Sequence, residues 1–197
     1  MRGAGWRIGP HRVDVPVTWH GVPVGADAPA AWRDDIAGEV GAVGEDADAL
    51  RHNLELVRTR LRDGAPLLAA AVWIPEPRTA AIAGVMRLHL LVSPSEEEAY
   101  TLERREAELA EPEPATEIAR REQERTEVPL GPALVTRDLL TFSDGGSAQE
   151  RIEVAVVPDG CAEGLALEVL SQHLFVEDEL LADVLAMADR LQAGAAR

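Results

Sequence analysis

Residues 151–192 read RIEVAVVPDGCAEGLALEVLSQHLFVEDELLADVLAMADRLQ, and this stretch decides the fold. Apolar and polar residues alternate through 150–157 and again through 165–174, which is the period of a strand with one buried face. Between the two runs, Pro158, Asp159 and Gly160 supply the residue types of a turn. From Glu177 to Gln192 the apolar residues recur instead at helical spacing. The stretch therefore predicts two antiparallel strands followed by an amphipathic helix.

Further strands and helices are predicted upstream by the same two periods. Residues 1–12 are expected to be irregular, and strands are expected at 13–19, 67–74, 82–92 and 133–142. Helices are expected at 31–40 and from Asp46 until Asp63-Gly64 ends the second one. Short connections between consecutive strands predict an antiparallel sheet. We therefore predict a single α+β domain over residues 1–197, with a sheet of about six strands and helices packed on its faces.

Residues 93–127 interrupt this pattern with a run that is rich in glutamate and arginine and poor in large apolar side chains. Ser93 or Ser95 is a candidate helix cap, and a second polar helix is expected over 115–125, after the Glu-Pro repeat at 111–114. The segment has too few apolar residues to bury much surface. It is therefore predicted to be a charged, partly helical and poorly packed excursion within the domain.

Four segments carry a resemblance to a known family: VPLGPALVTRDLL at 128–140, ERIEVAVV at 150–157, LALEVLSQHLF at 165–175 and VEDELLADVLAMADRLQ at 176–192. In the order and type of these elements, the chain resembles the PsbP-like α/β/α sandwich proteins, including the LpqN-like branch of actinobacteria. VDVPVTW at 13–19 is a candidate first strand of the same pattern. The resemblance implies an α/β/α sandwich and a non-catalytic binding or accessory role. LpqN-like members usually carry an export signal, which is not expected here.

Net charge and residue usage narrow the class of partner. The formal net charge is -16, and all 19 basic residues are arginine, which with the Ala, Gly, Val and Leu content indicates a high-GC bacterial gene. Nucleic acids and anionic membranes bind clustered basic residues, so neither is an expected partner. A single cysteine forms no internal disulfide and no apolar run has membrane length, so a cytoplasmic protein is expected. The acidic charge suits a protein partner with a basic surface. A homo-oligomer is the alternative.

The residue patterns associated with catalysis are missing from the sequence. Cys161 lies in the turn PDGCAEG, where Asp159 and Glu163 disfavour a thiolate. The five histidines do not form the short-spaced pairs typical of metal ligands. The neighbouring acids Asp34 and Asp35 are typical of a solvated helix face, and no GxSxG, GxGxxG or phosphate-loop motif occurs. We therefore expect no catalytic residues, no metal and no cofactor.

The remaining candidates are contact residues. Candidate partner contacts are side chains outside the predicted core: Trp6, Arg87, His89, Arg104 and Arg105. A separate group of tryptophans fills the core or lines a ligand pocket between sheet and helices: Trp19, Trp32 and Trp73. The sequence thus supports a non-enzymatic protein-interaction module, acting as a scaffold, chaperone-like protein or accessory factor. The alternative is a small-ligand binding domain with a Trp-lined pocket.

Overall fold

The computed structural model describes residues 6–29, 31–62, 66–76, 81–95, 97–111, 116–142, 148–174 and 177–196. These residues form four helices and nine mostly antiparallel strands. The strands are β1 (Ile8–Arg12), β2 (Trp19–Gly21), β3 (Ala69–Trp73), β4 (Gly84–Leu91), β5 (Thr116–Val128), β6 (Gly131–Phe142), β7 (Gln149–Val156), β8 (Gly164–Ser171) and β9 (Gln192–Ala195). The helices are α1 (Trp32–Glu39), α2 (Gly44–Arg62), α3 (Leu102–Ala110) and α4 (Glu177–Asp189). The α+β class is confirmed, with nine strands rather than about six.

The chain divides into two compact units. The smaller unit is Val15–His89, and the larger unit combines Met1–Asp14 with Leu90–Arg197. The predicted single domain over 1–197 stays a prediction. The helix end at 63–64, the Glu-Pro repeat at 112–114 and the turn at 143–147 lie outside the described residues.

In the smaller unit, β3 lies between β2 and β4, and both pairings are antiparallel. Side chains alternate across a strand, so Ala70, Val72 and Ile74 share one face of β3. These three residues join the apolar core with residues of α1 and α2, among them Trp32 and Leu50. The predicted central strand at 67–74 and its hairpin with 82–92 are therefore confirmed. The second helix begins at Gly44, two residues before the predicted Asp46.

In the larger unit, β5, β6, β7 and β8 follow one another in space as they do in sequence, each antiparallel to the next. One face of this meander, which we call the α3 face, carries Leu134 and Ala155 and packs against Leu102 and Leu109. The opposite face is the α4 face. It carries the buried apolar residues that alternate along the strands with the residues of the α3 face. Helix α4 contacts both β7 and β8. Helices thus cover the two faces of this four-stranded region, and the predicted strands at 133–142, 150–157 and 165–174 and the helix from 177 are confirmed.

Two short strands join the two ends of the larger unit. β1 and β9 pair antiparallel, with Ile8 opposite Ala195 and Arg12 opposite Gln192. The prediction of irregular residues at 1–12 was wrong for 8–12, which form β1, and its residues 1–5 lie outside the described ranges. The predicted strand at 13–19 was also wrong. Residues 13–18 connect β1 to β2, and the carbonyl oxygen of Pro16 accepts a turn hydrogen bond of 2.9 Å from the backbone of Trp19. The sequences of β1 and β9, IGPHR and QAGA, are short and lack an apolar alternation, so neither strand has a period-two signal.

The predicted polar helix at 115–125 was also wrong, because residues 116–125 belong to β5, while residue 115 lies outside the described ranges. The pairing of β5 with β6 extends from Thr116 opposite Phe142 to Val128 opposite Gly131, with one irregularity after Ile118. Arginine, glutamate and glutamine have high helix propensity, which explains the error. Pairing with the strongly apolar neighbour β6 overrides that local preference.

Gly131 begins β6 at a point where the backbone leaves no room for a side chain. Its φ is 147°, and an added Cβ would lie 2.9 Å from the carbonyl oxygen of Val157. Gly131→Ala is therefore expected to destabilise the larger unit by about 1–3 kcal/mol in urea unfolding followed by circular dichroism. Gly194→Ala is the control, since its nearest neighbour would be 3.8 Å away. Equal stability of the two variants would contradict this interpretation.

Candidate interaction surface

The segment 93–127, predicted to be poorly packed, forms α3 and most of β5. Thr101 caps α3, because its side-chain oxygen accepts a hydrogen bond of 3.2 Å from the backbone of Arg104. Tyr100, Leu102 and Leu109 are buried against the α3 face. The expectation of a poorly packed excursion was therefore wrong for α3, although its helical character is confirmed. Three apolar side chains spaced along an otherwise charged segment thus contribute to anchoring it.

A buried ion pair connects α3 to the middle of the sheet. The guanidinium of Arg105 donates from Nε to Oε1 of Glu153 at 2.7 Å and from Nη2 to the other carboxylate oxygen. Glu153 is only 1% exposed and stands directly opposite Glu168 on β8. Two carboxylates in this position repel each other, so the Arg105 charge is needed there. Burial lowers the pKa of Arg105, but Glu153 together with Tyr100 and Glu108 outweighs burial and raises the pKa above its ordinary value, so the guanidinium stays charged.

Asp138 is the centre of a second buried ion cluster on the α3 face. Its Oδ1 accepts from Arg121 Nε at 2.7 Å, and its Oδ2 accepts from Arg151 Nη2 at 2.6 Å. The carboxylate is 0% exposed, and burial alone would raise its pKa. The hydrogen bonds and charges of Arg121 and Arg151 outweigh burial and hold the pKa of Asp138 below its ordinary value. Asp138 lies on β6, and its carboxylate therefore links Arg121 of β5 to Arg151 of β7.

Side chains of β5 also hold α3 in place. Arg121 donates to the carbonyl oxygen of Leu109 in the last turn of α3, where the helix dipole is negative. Arg125 donates to both carboxylate oxygens of Glu106 at 2.9 Å and to Glu103 at 2.7 Å. The pKa of Glu103 and that of Glu106 are lowered, first of all by the hydrogen bonds from Arg125. α3 and β5 therefore form one connected charged layer, which we call the α3–β5 surface.

The outer part of this surface is the free edge of β5. β5 is the last strand in the sheet order, and its residues 122–127 are all exposed. Its exposed carboxylates belong to Glu117, Glu122, Glu124 and Glu127. An edge strand points about half of its backbone N–H and C=O groups away from its only neighbour. Among the described residues, the surface therefore combines backbone groups that have no strand neighbour with negative charge.

The candidate contact residues are spread over several elements. Arg104 is about one-third exposed and pairs with Glu108 at 2.9 Å, whereas Arg105 is committed to Glu153 inside the unit. Arg87 and His89 lie on β4, are partly buried, and take part in polar interactions. The structure therefore brings Arg104 and Arg105 together on α3 in the larger unit, whereas Arg87 and His89 are neighbours on β4 in the smaller unit.

Trp6 lies against the turn that contains Cys161. Its indole N–H donates to the carbonyl oxygen of Asp159 at 3.0 Å, and its backbone bridges to Cys161. The thiol of Cys161 is buried and donates to the carbonyl oxygen of Trp6 at 3.1 Å. Burial raises the pKa of Cys161. The indole of Trp6 is thus partly exposed but fixed, and the cysteine serves the packing of this turn.

The three tryptophans of the proposed pocket do not share one face. Trp19 and Trp73 stack with ring centroids 6.0 Å apart, and both are at least 97% buried. Trp73 alternates with Val72 and Ile74 along β3, so it points away from the core that contains Trp32. The structure therefore brings Trp19 and Trp73 together and places Trp32 on the opposite face. The ligand-binding alternative stays a prediction.

The buried charges under α3 were missed in the sequence. Asp138, Arg151 and Glu153 alternate with apolar residues along their strands, which is the pattern typical of a solvated face. The one available signal was that these positions lie on strands whose other face is strongly apolar. That signal cannot show that a helix from elsewhere in the chain covers the charged face.

Within the described ranges, no three His, Cys, Asp or Glu side chains come together as a metal site, and no helix is long and apolar enough to cross a membrane. A scan against protein-family models gives no match to this chain, and a search of curated proteins gives none either. The resemblance to PsbP-like and LpqN-like proteins therefore stays a prediction.

Proposed function

We propose that this chain is a non-enzymatic protein-interaction module, a scaffold or accessory factor, whose working surface is the α3–β5 surface. The observation that carries the proposal is the exposed, acidic edge of β5, whose Arg121 pairs with the buried Asp138 of β6 and whose Arg125 forms exposed ion pairs with Glu103 and Glu106 of α3. A surface that is already ordered before binding loses little conformational entropy when a partner docks.

The charge of the surface favours a partner with a basic face. Glu117, Glu122, Glu124 and Glu127 are exposed. Arg125 is already paired with two glutamates of α3, and the exposed Arg120 pairs with Glu122 at 3.7 Å, so glutamates remain in excess on this edge. Complementary charge increases the association rate and excludes acidic partners. The whole chain carries a net charge of -16, which steers basic proteins toward it from a distance.

Co-purification from the native host tests this proposal. The wild-type chain is expected to retain a protein partner, and the triple variant Glu117→Gln, Glu124→Gln, Glu127→Gln is expected to lose at least about 90% of it, since each substitution removes a charge while keeping the side-chain shape. Cross-linking and mass spectrometry would place the contacts on β5 and α3.

The matched control removes three exposed charges from the smaller unit by Asp35→Asn, Glu45→Gln and Asp46→Asn. This control variant is expected to retain the partner as the wild type does. If the two triple variants behave alike, or if the wild type retains no protein above the tag control, the proposed function is wrong.

A further inference from the structure

We propose that the free edge of β5 accepts an extended, arginine- or lysine-rich segment of a partner protein as an additional strand. This inference rests on the proposed function and specifies how the partner is recognised. The occupant is defined by two chemical properties, an extended backbone and positive side chains. Both properties follow from the geometry and charge of β5.

The backbone of β5 offers a continuous template. From Arg120 to Val128 the register with β6 is unbroken, and the segment contains no proline. In the part of the chain that the structure describes, no strand pairs with the outer side of β5. Nine residues at about 3.4 Å per residue exceed the usual strand length of about 5–6 residues. A typical strand of a partner therefore fits along this edge.

The edge is rigid because alternate side chains are fastened to the α3 face. Arg121 pairs with Asp138, Gln123 donates to the hydroxyl of Thr136 at 3.2 Å, and Arg125 pairs with Glu106. The strand therefore keeps its extended conformation without a second neighbour. A partner segment would therefore pair with an edge that is already extended, and β5 would not have to become ordered on binding.

The other alternate side chains determine the charge that a partner meets. Arg120, Glu122 and Glu124 belong to the set that points to the opposite face, and all three are exposed; Arg120 pairs with Glu122 at 3.7 Å, so Glu124 adds the net negative charge of this set. In a paired strand, the side chains directly opposite them would lie about 4.5–5.5 Å away. Opposite charges are favourable at that distance and like charges are unfavourable. An added strand with basic residues at alternate positions would therefore make backbone hydrogen bonds with β5 and place opposite charges beside the glutamates.

A second copy of this chain fits the same edge less well. Pairing two β5 edges would bring together two acidic surfaces on chains that each carry a net charge of -16. Edge charges also discourage pairing of identical chains. Charge therefore selects a basic partner over self-association.

Binding of synthetic peptides to the full chain tests the inference. The first probe is a short peptide in which Arg and Val alternate, and the second is the same peptide with N-methyl groups on alternate backbone nitrogens. N-methylation keeps the charge but removes the donors needed for strand pairing. The unmodified peptide is expected to bind at least about tenfold more tightly than the methylated one and to slow amide hydrogen exchange within 120–128.

Charge reversal supplies the matched variant. Glu122→Arg with Glu124→Arg is expected to reduce affinity for the Arg-Val peptide by at least about tenfold and to create affinity for a Glu-Val peptide. Circular dichroism checks that this variant is folded. The milder double variant, Glu122→Gln with Glu124→Gln, is expected to give an intermediate loss of affinity for the Arg-Val peptide.

Three results would overturn the inference. They are equal binding of the two Arg-Val peptides, no binding of either, or protection of the β5 amides by self-association as protein concentration rises. If one of these occurs while the Glu117, Glu124 and Glu127 triple variant still loses its natural partner, the proposed function stands and only the strand-addition mode fails. If the triple variant keeps its partner, the proposed function itself fails.

Discussion

Asp138→Asn is expected to destabilise the larger unit by about 3–5 kcal/mol, because it leaves two arginines in a buried site without their carboxylate. Asp138 is fully buried and accepts hydrogen bonds from both Arg121 and Arg151. The asparagine has nearly the same shape, but it carries no charge. Its NH2 group, which is a donor, replaces a carboxylate oxygen that accepted hydrogen bonds from arginine. Amide hydrogen exchange on β6 and β7 reports this loss for the larger unit alone.

Asp14→Asn is the control for this substitution. Asp14 forms an exposed pair with Arg12 at 2.8 Å in the same unit, and its loss is expected to change stability by no more than about 0.5 kcal/mol. A loss below about 1 kcal/mol for Asp138→Asn would show that the two arginines find other acceptors.

The pH dependence of stability follows from the direction of the same pKa shift. The folded pKa of Asp138 lies below its ordinary value of 3.8. Its contribution is therefore fully present above pH 3.8 and is lost as the pH falls further toward the folded pKa. Between about pH 5 and pH 3, Asp138→Asn is expected to lose less stability than the wild type does. Parallel curves for the two proteins would contradict the assignment of this carboxylate.

Arg105→Met is the second substitution with a large expected effect, again about 3–5 kcal/mol. It leaves Glu153 buried and directly opposite Glu168, without the cation that α3 supplies. Methionine retains most of the apolar stem, so the loss reports mainly on charge. Faster amide exchange across α3 is expected as well, because the ion pair is one of its attachments to the sheet.

Two further variants isolate the ion pair. Arg104→Met removes the neighbouring arginine, whose pair with Glu108 is partly exposed, and is expected to lose no more than about 0.5 kcal/mol. In the double variant Arg105→Met, Glu153→Gln, the loss is expected to be smaller than the sum of the two single losses by at least about 1 kcal/mol. Additive losses would mean that the two side chains do not interact.

The parts of the fold that the sequence predicted are those with a strong periodic signal. Ile152, Val154 and Val156 alternate along β7, and Leu180 and Val184 recur at helical spacing in α4, so local sequence was sufficient there. β5 was misassigned because its pattern of arginines and glutamates has no apolar face at either period. Its extended conformation depends on β6, which is a partner in space and is not encoded within 116–128.

The candidate site was predicted in location but not in form. The segment 93–127 was singled out by its charge, and it does contain α3 and most of the β5 edge. Sequence alternation shows which residues share a strand face, but not whether another element covers that face. The buried roles of Asp138 and Glu153 therefore required the position of α3, which no local pattern contains.

The pairing of β1 with β9 has a mechanical consequence. Ile8 lies opposite Ala195, and the carbonyl oxygen of Arg7 accepts a hydrogen bond of 2.7 Å from the backbone of Ala196. A pulling force applied between residues 7 and 196 would act on this pair first and open its hydrogen bonds one after another from the outer end. Such unzipping loads one bond of the β1–β9 pair at a time, while the hydrogen bonds of Trp6 and Ile8 to residues 160–163 carry part of the force into the turn between β7 and β8.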